Sequence, residues 1–151
     1  MMSSNITIHQ HEDLFLSEAH VIVNAVNCVG VMGRGIALVF KQRFPVMFYD
    51  YQVRCTKGEV KPGQPYLYEI SPSRWIMNFP TKQHWCNSSK LEWIILGLNM
   101  IVEQYKEWGI RSIAIPALGC GNGDLSWDIV LPLMVESLSK IDIPVHLYSP
   151  F

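Results

Sequence analysis

Two glycine-rich segments hold the residue types that could bind an anion. The first, Asn27–Gly35, has glycines at positions 30, 33 and 35, and the second reads Gly119-Cys120-Gly121-Asn122-Gly123. Glycine permits positive φ and lets backbone N–H groups approach a ligand closely, and each segment precedes a predicted helix whose N-terminus adds positive dipole. Together they predict a cradle suited to a diphosphate, to which Arg34 could add charge. The alternative is two tight packing turns, because the spacing is neither the dinucleotide fingerprint nor a P-loop.

A third segment places a lysine and a histidine just after a predicted strand. Burial near a crevice would lower the pKa of Lys82 and make it a nucleophile or a base, although a solvated surface lysine is the alternative. His84 could be its acid–base partner or an ordinary loop histidine. Asn27 could bind a sugar hydroxyl as both donor and acceptor, or cap its own loop. Asn24, inside a strand, is interpreted as structural.

Strands alternate with helices along the chain, and these elements must position the three segments. The predicted strands are Ile6–Ile8, Val21–Val26, Tyr66–Ile70, Trp75–Phe79, Ser112–Ile115 and Val145–Tyr148. The first two predicted helices are Gly35–Arg43 and a helix that begins at Pro45 and stops at Gly58. The third begins with a capping box, Ser89-Lys90-Leu91-Glu92, and runs to Trp108, with Gly109 closing it. The fourth is capped by Ser126, is bent at Pro132 and ends near Lys140. This order predicts an α/β fold, a three-layer α/β/α sandwich around a mixed, mainly parallel sheet.

Three loops follow apolar strands of this predicted sheet. They are Asn27–Gly35, Pro80–Ser88 and Pro116–Leu125. Ligands of such sheets bind beyond the carboxyl ends of the strands. We therefore expect the three loops to converge on one crevice.

Composition limits the other classes of protein that the chain could be. Its 151 residues suit one domain, residues 1–151, and 49% apolar with 17% charged residues excludes intrinsic disorder. A net charge of −1 argues against nonspecific duplex binding. The four cysteines are widely spaced and no secretory signal is visible, which predicts free thiols in the cytosol. The most apolar stretch, from Trp93 to Leu98, is too short to span a membrane. No zinc-type spacing occurs, so no metal or redox cofactor is expected.

The same segments resemble those of macrodomains, the ADP-ribose-binding α/β/α family. Val23-Asn24-Ala25-Val26-Asn27 followed by Gly30-Val31-Met32-Gly33-Arg34-Gly35-Ile36-Ala37 is similar to the VN-x-VN-x-x-GVMGKGIA pattern of the DarG-type branch. Asn78-Phe79-Pro80-Thr81-Lys82 and Pro116-Ala117-Leu118-Gly119-Cys120-Gly121 also resemble that branch, and the likeness spans Ile6 to Tyr148. It implies an antitoxin-like hydrolase that removes ADP-ribose from thymine in single-stranded DNA, with a DNA ADP-ribosyltransferase toxin as a partner.

The resemblance also assigns roles to individual residues. Asp13 looks like the carboxylate that binds the adenine amino group, with a solvated or helix-capping carboxylate as the alternative. Asn27 is similar to the residue beside the distal ribose, and Lys82 to the lysine on which hydrolysis depends; these two are the predicted catalytic pair. The residues expected to contact ADP-ribose are Asp13, Leu14, Asn27, Cys28, Gly30, Val31, Met32, Gly33, Arg34, Gly35, Thr81, Gly119, Cys120, Gly121, Asn122 and Gly123.

The chain departs from the branch pattern at several points. Arg34 replaces a lysine, and the chain ends at Phe151 where DarG-type proteins continue. In a related branch acting on ADP-ribosylated glutamate an aspartate of the second loop assists the lysine; here Gly123 aligns with it, and Asp124, one residue later, is a further candidate. The alternatives are an ADP-ribose reader without turnover, and a hydrolase of ADP-ribosylated glutamate or ADP-ribose-1″-phosphate. Lys82 separates enzyme from reader, because a pure reader does not need it.

Overall fold

The computed structural model describes residues 5–150, so both ends of the predicted domain lie outside the described residues. Within that range the strands are β1 (Ile6–His9), β2 (Val21–Val26), β3 (Tyr66–Ser71), β4 (Arg74–Pro80), β5 (Ile113–Ile115) and β6 (Val145–Tyr148). They form one sheet in the order β1-β6-β5-β2-β4-β3. All pairs are parallel except β3 with β4. The predicted mixed, mainly parallel sheet is confirmed.

The helices cover both faces of this sheet. They are α1 (Gly35–Arg43), α2 (Pro45–Thr56), α3 (Leu91–Trp108) and α4 (Trp127–Leu138), with a single 3-10 turn at Leu14–Leu16. Buried side chains of α3 and α4 pack with Val23 and Phe79 on one face. Those of α1 and α2 pack with Ile22 and Ile76 on the other. Side chains of adjacent strand residues point to opposite faces of the sheet. The continuous apolar runs of β2 and β4 are therefore buried by helices on both faces.

The predicted capping box before α3 is wrong. Lys90 occupies the N-cap position and makes no side-chain capping bond. The Ser89 hydroxyl instead donates to the Thr81 hydroxyl at 3.0 Å. Ser126 does stand at the N-cap of α4, but its side chain makes no capping bond either. Ser89 therefore links α3 to the end of β4, where the candidate site begins.

In the centre of the sheet, the carboxyl ends of β2 and β4 lie next to each other. Val26 is paired with Pro80, and the Thr81 N–H donates to the Val26 carbonyl at 3.0 Å. Between the strands, the Asn24 amide donates to Asn78 Oδ1 at 3.1 Å, which confirms the structural role of Asn24. The loops that follow both strands thus start side by side. Within residues 5–150 no helix is long and apolar enough to cross a membrane.

Candidate functional site

A cavity of about 680 Å³ opens at the carboxyl ends of the parallel strands. Among the residues that line it are Asn27, Val31, Gly33, Arg34, Gly35, Thr81, Lys82, Trp85, Gly119, Gly121, Asn122 and Gly123. The volume falls in the range that cofactor-sized ligands occupy. The three predicted loops therefore do converge on one crevice.

The order of the strands spreads the polar groups along this cavity. Asp13 follows β1 and Lys82 follows β4, while the two glycine-rich loops follow β2 and β5 between them. Four strand spacings of about 4.8 Å separate β1 from β4, which amounts to roughly 19 Å. The cavity is therefore a groove with a carboxylate at one end, backbone-rich loops in the middle and an amine at the other end.

Asn27 holds the first glycine-rich loop together. Its amide donates to the Val31 carbonyl at 2.7 Å, and its Oδ1 accepts from the Val29 N–H at 3.0 Å and the Tyr51 hydroxyl at 2.8 Å. Burial raises the pKa of Tyr51, which keeps that hydroxyl a donor. The side chain lines the groove, but its hydrogen bonds are those of the loop-capping alternative.

The second glycine-rich loop packs against the start of α3. Gly119 has φ +73, and a Cβ there would lie 3.1 Å from the Cβ of Ser89. A Cβ on Gly123 would overlap the Ser89 hydroxyl, and the Ser89 N–H donates to the Gly123 carbonyl at 3.0 Å. These glycines thus allow a close approach of two backbones, which no larger residue would permit.

The two glycine-rich loops meet over the middle of the groove. Gly35 has φ +61, and the Asn122 side-chain nitrogen lies 2.7 Å from the place that a Gly35 Cβ would occupy. Gly35 also begins α1, so the dipole of that helix points at the junction. The two loops are thus brought together, and binding of an anion at their junction stays a prediction.

Lys82 bridges the loop after β4 and the second glycine-rich loop. Its ammonium donates to the carbonyls of Trp85 and Asn122, both at 3.3 Å. Burial, followed by the positive charge of Arg34, lowers the pKa of Lys82, while Asp124 and Cys86 act in the opposite direction. The pKa of this partly buried lysine is thus shifted in the direction that favours a neutral amine.

Asp13 caps the 3-10 turn and faces the groove as well. Its Oδ1 accepts from the Phe15 N–H at 2.9 Å. Asp13 is exposed and lines the groove beside Glu12, Leu14 and Phe15. Within residues 5–150 no hydrogen bond to Oδ2 is found. One oxygen thus shapes the turn, and the other can accept from a ligand.

Four residues expected to contact ADP-ribose lie outside the cavity lining. Cys28 is buried with its thiol 3.5 Å from the Lys82 carbonyl, and burial raises its pKa to about 12. Met32 is buried near the Asn24 amide, and Gly30 faces α2. Burial raises the pKa of the Cys120 thiol to about 11. Cys28 is thus a buried thiol and Cys120 a partly buried one, and neither lines the groove.

His84 and Asp124 also lie outside the lining. The His84 ring is 3.1 Å from the Cys86 sulfur, so it is an exposed loop histidine with a local partner. Asp124, with φ +66, accepts from the Ser88 hydroxyl at 2.8 Å. The carboxylate influences the pKa of Lys82 without forming part of the groove wall.

Several lining residues were not predicted. They are Glu12, Phe15, Ala25, Val26, Ile36, Ala37, Trp85, Ser89, Pro116, Ala117, Tyr148, Ser149 and Pro150. The rule that ligands sit beyond strand ends would have found the group after β6. The only sequence signal for Trp85 is its position three residues after Lys82, in the loop that follows β4.

Comparisons with known proteins agree with this geometry. A family model described as "Macro domain" matches residues 23–134. A "DNA ADP-ribosyl transferase-DNA ADP-ribosyl glycohydrolase fusion protein" of Thermosipho africanus is 42% identical over 91% of this chain and 40% of its own length. The chain therefore spans about two fifths of that relative.

Solved structures give the same family. The structure titled "Thermosipho africanus DarTG in complex with ADP-ribose" has a TM-score of 0.93 at 42% identity, covering 99% of this chain and 42% of that one. The macrodomain of Mycobacterium tuberculosis DarG has a TM-score of 0.91 at 41% identity, covering 97% and 98% of the two chains. The second match covers almost the full length of both chains.

Proposed function

Because the chain belongs to the Macro domain family, we propose that it is a DNA ADP-ribosyl glycohydrolase that removes ADP-ribose from thymine in single-stranded DNA. The observation that carries the proposal is the linear order of Asp13, two glycine-rich loops and Lys82 along one groove. A relative with 42% identity is named for this activity, and its solved structure is titled as an ADP-ribose complex.

The groove presents to each part of ADP-ribose a group of matching chemistry. The free oxygen of Asp13 accepts from the adenine amino group at the β1 end. Backbone N–H groups of the two glycine-rich loops, with the α1 dipole and Arg34, receive the diphosphate in the middle. The distal ribose then lies at the β4 end, against Lys82. Asn27 contributes by holding the first loop in shape.

The reaction that follows breaks the bond between the thymine nitrogen and the anomeric carbon. The electron pair of that bond leaves with the base, which takes a proton from water. The neutral amine of Lys82 captures the anomeric carbon, and a second step with water releases ADP-ribose and restores the amine. The fixed loops supply proximity by holding the sugar against Lys82.

Asp13→Asn is expected to weaken ADP-ribose binding by about 1–3 kcal/mol. Asparagine keeps one oxygen for the Phe15 N–H, so the turn is preserved, but its amide then presents a donor to the adenine amino group. Calorimetry with ADP-ribose measures the effect. The hypoxanthine analogue of ADP-ribose, which lacks the amino group, should bind the unmutated protein more weakly and lose that disadvantage in the variant.

Glu103→Gln is the matched control, because Glu103 is exposed on α3 and does not line the groove. It should leave both affinities unchanged. Equal affinity of the unmutated protein for the two nucleotides would remove Asp13 from the adenine site.

The pH dependence of hydrolysis is expected to follow Lys82. Its neutral form increases with pH, so the rate should rise with pH through a midpoint below the ordinary lysine value of 10.5. Arg34→Gln removes a positive charge that lowers this pKa and should move the rise to higher pH. Asp124→Asn removes a negative charge that raises it and should move the rise to lower pH.

Pre-steady-state rates measured across pH for the three proteins test this expectation. Shifts of opposite sign are expected from the two variants. Shifts in the same direction, or a profile that neither variant moves, would show that Lys82 ionisation does not control the rate.

The proposed substrate class is tested by offering two substrates to one preparation. An oligonucleotide ADP-ribosylated on thymine and a protein ADP-ribosylated on glutamate are incubated with the chain, and released ADP-ribose is followed. Faster release from DNA supports the proposal. Release from protein alone would identify the glutamate hydrolase, and release from neither would favour a reader.

We also propose a partner and a compartment. The name of the fusion relative pairs this activity with a DNA ADP-ribosyl transferase, which supports a transferase toxin as the source of the substrate. The cysteines Cys28, Cys55, Cys86 and Cys120 are free thiols, which fits the reducing conditions of the cytosol.

A further inference from the structure

We propose that Trp85 is the platform on which the modified thymine stacks while its bond to ADP-ribose is cleaved. The inference rests on the proposed function, since it concerns the leaving group of that reaction. It assigns a specificity role to a residue at the Lys82 end of the groove.

Trp85 differs from the other tryptophans of the chain in its surroundings. Trp75, Trp108 and Trp127 pack against the core, and Trp93 lies beneath the Lys90 ammonium at 4.8 Å. Trp85 is 48% exposed and lines the groove. A large aromatic ring left open at the rim of a ligand groove has apolar surface available for a planar ligand.

The backbone of Trp85 is held next to the reacting amine. The Trp85 carbonyl accepts from the Lys82 ammonium at 3.3 Å. The backbone of the two preceding residues, Gln83 and His84, is also hydrogen-bonded. The Gln83 carbonyl accepts from the Cys28 N–H at 2.9 Å, and the His84 carbonyl accepts from the Asn87 N–H at 3.1 Å. The base leaves from the carbon that Lys82 approaches, and Trp85 is the aromatic residue that lines the groove in the same loop as Lys82.

The segment that carries Trp85 offers a base an aromatic ring and no charged side chain. The segment from Gln83 to Ser88 contains no Asp, Glu, Lys or Arg, and the chain has a net charge of −1. Stacking of a base on an aromatic side chain stabilises binding and needs no charge. A glutamate leaving group has no aromatic face, so Trp85 would favour DNA over an ADP-ribosylated protein.

The test compares Trp85→Ala, Trp85→Phe and the control Tyr49→Ala, an aromatic residue exposed on α2 and away from the groove. The substrate is an oligonucleotide ADP-ribosylated on thymine, and calorimetry with ADP-ribose serves as the base-free measurement. Trp85→Ala should lower kcat/KM by about 5- to 100-fold, mainly through KM. Its ADP-ribose affinity should stay unchanged, and Trp85→Phe should recover most of the loss.

Each other outcome overturns part of the account. If Trp85→Ala cleaves the oligonucleotide as well as Tyr49→Ala does, Trp85 is not a platform for the base. If Trp85→Ala loses ADP-ribose binding too, the side chain supports the loop or the nucleotide instead. If the unmutated protein does not act on the oligonucleotide at all, the proposed function itself fails, and the inference with it.

Discussion

Lys82→Ala is expected to abolish the release of ADP-ribose from DNA, lowering kcat by at least about 100-fold. The partly buried amine lies at the end of the groove where the distal ribose is proposed to lie, and alanine has no group to capture the anomeric carbon. Binding of free ADP-ribose should weaken by less than about tenfold, since adenine and diphosphate are held elsewhere and the loops lose only the two hydrogen bonds of the ammonium. Loss of turnover with little loss of ADP-ribose affinity would mark an interaction that is needed in the transition state rather than for ground-state binding.

Two further variants sharpen this expectation. Lys82→Arg keeps the positive charge but supplies no neutral amine, so it should be inactive too. Lys90→Ala removes an exposed lysine that lies over Trp93 and does not line the groove, and it should keep full activity. Parallel loss of binding and turnover in Lys82→Ala would make Lys82 a binding or folding residue, and full turnover would refute the mechanism.

Gly97→Ala is expected to destabilise the fold by about 3 kcal/mol. Gly97 is buried within α3, and a Cβ there would overlap the ring of Phe79, itself fully buried in β4. The ring cannot move without disturbing the core between β4 and α3. In a domain of this size the thermal midpoint should fall by roughly 6–12 °C. Phe79 precedes Lys82 by three residues, so displacement of β4 should also reduce turnover.

Thermal or urea unfolding of the variant and its controls measures this effect. Gly121→Ala is a matched control for stability, because no atom lies within 4 Å of its added Cβ and its φ is not positive. It should unfold close to the parent. A smaller side chain at position 79, as in Phe79→Leu, should recover part of the loss in the Gly97→Ala background. Unchanged stability of Gly97→Ala alone would show that α3 and β4 adjust freely.

Much of the fold could be predicted because local patterns and tertiary structure agree. The β-branched run Val21–Val26 became β2 with the predicted bounds, since a central parallel strand is buried on both faces. Gly109 ends α3 in the left-handed conformation, with φ +80, as a glycine after a helix predicts. The crevice followed from topology, because the loops come after neighbouring parallel strands.

Features that depend on contacts distant in sequence could not be predicted. Ser89 had the spacing of a capping residue, but its hydroxyl bonds Thr81 because α3 starts against the end of β4. The same limit applies to the loop residues. Cys28 and Met32 stand in the predicted first loop but point away from the groove lining. Trp85 has no periodic pattern, and only the fold shows that it is exposed and lines the groove.

The most direct test of the central claim is the mass of a single-stranded oligonucleotide ADP-ribosylated on one thymine, measured before and after incubation with the chain. We predict loss of one ADP-ribosyl group, an intact unmodified oligonucleotide and free ADP-ribose in equal amount, with no change when Lys82→Ala is used. An oligonucleotide whose mass is unchanged by the unmutated protein, although ADP-ribose binds, would contradict the claim that this groove catalyses hydrolysis.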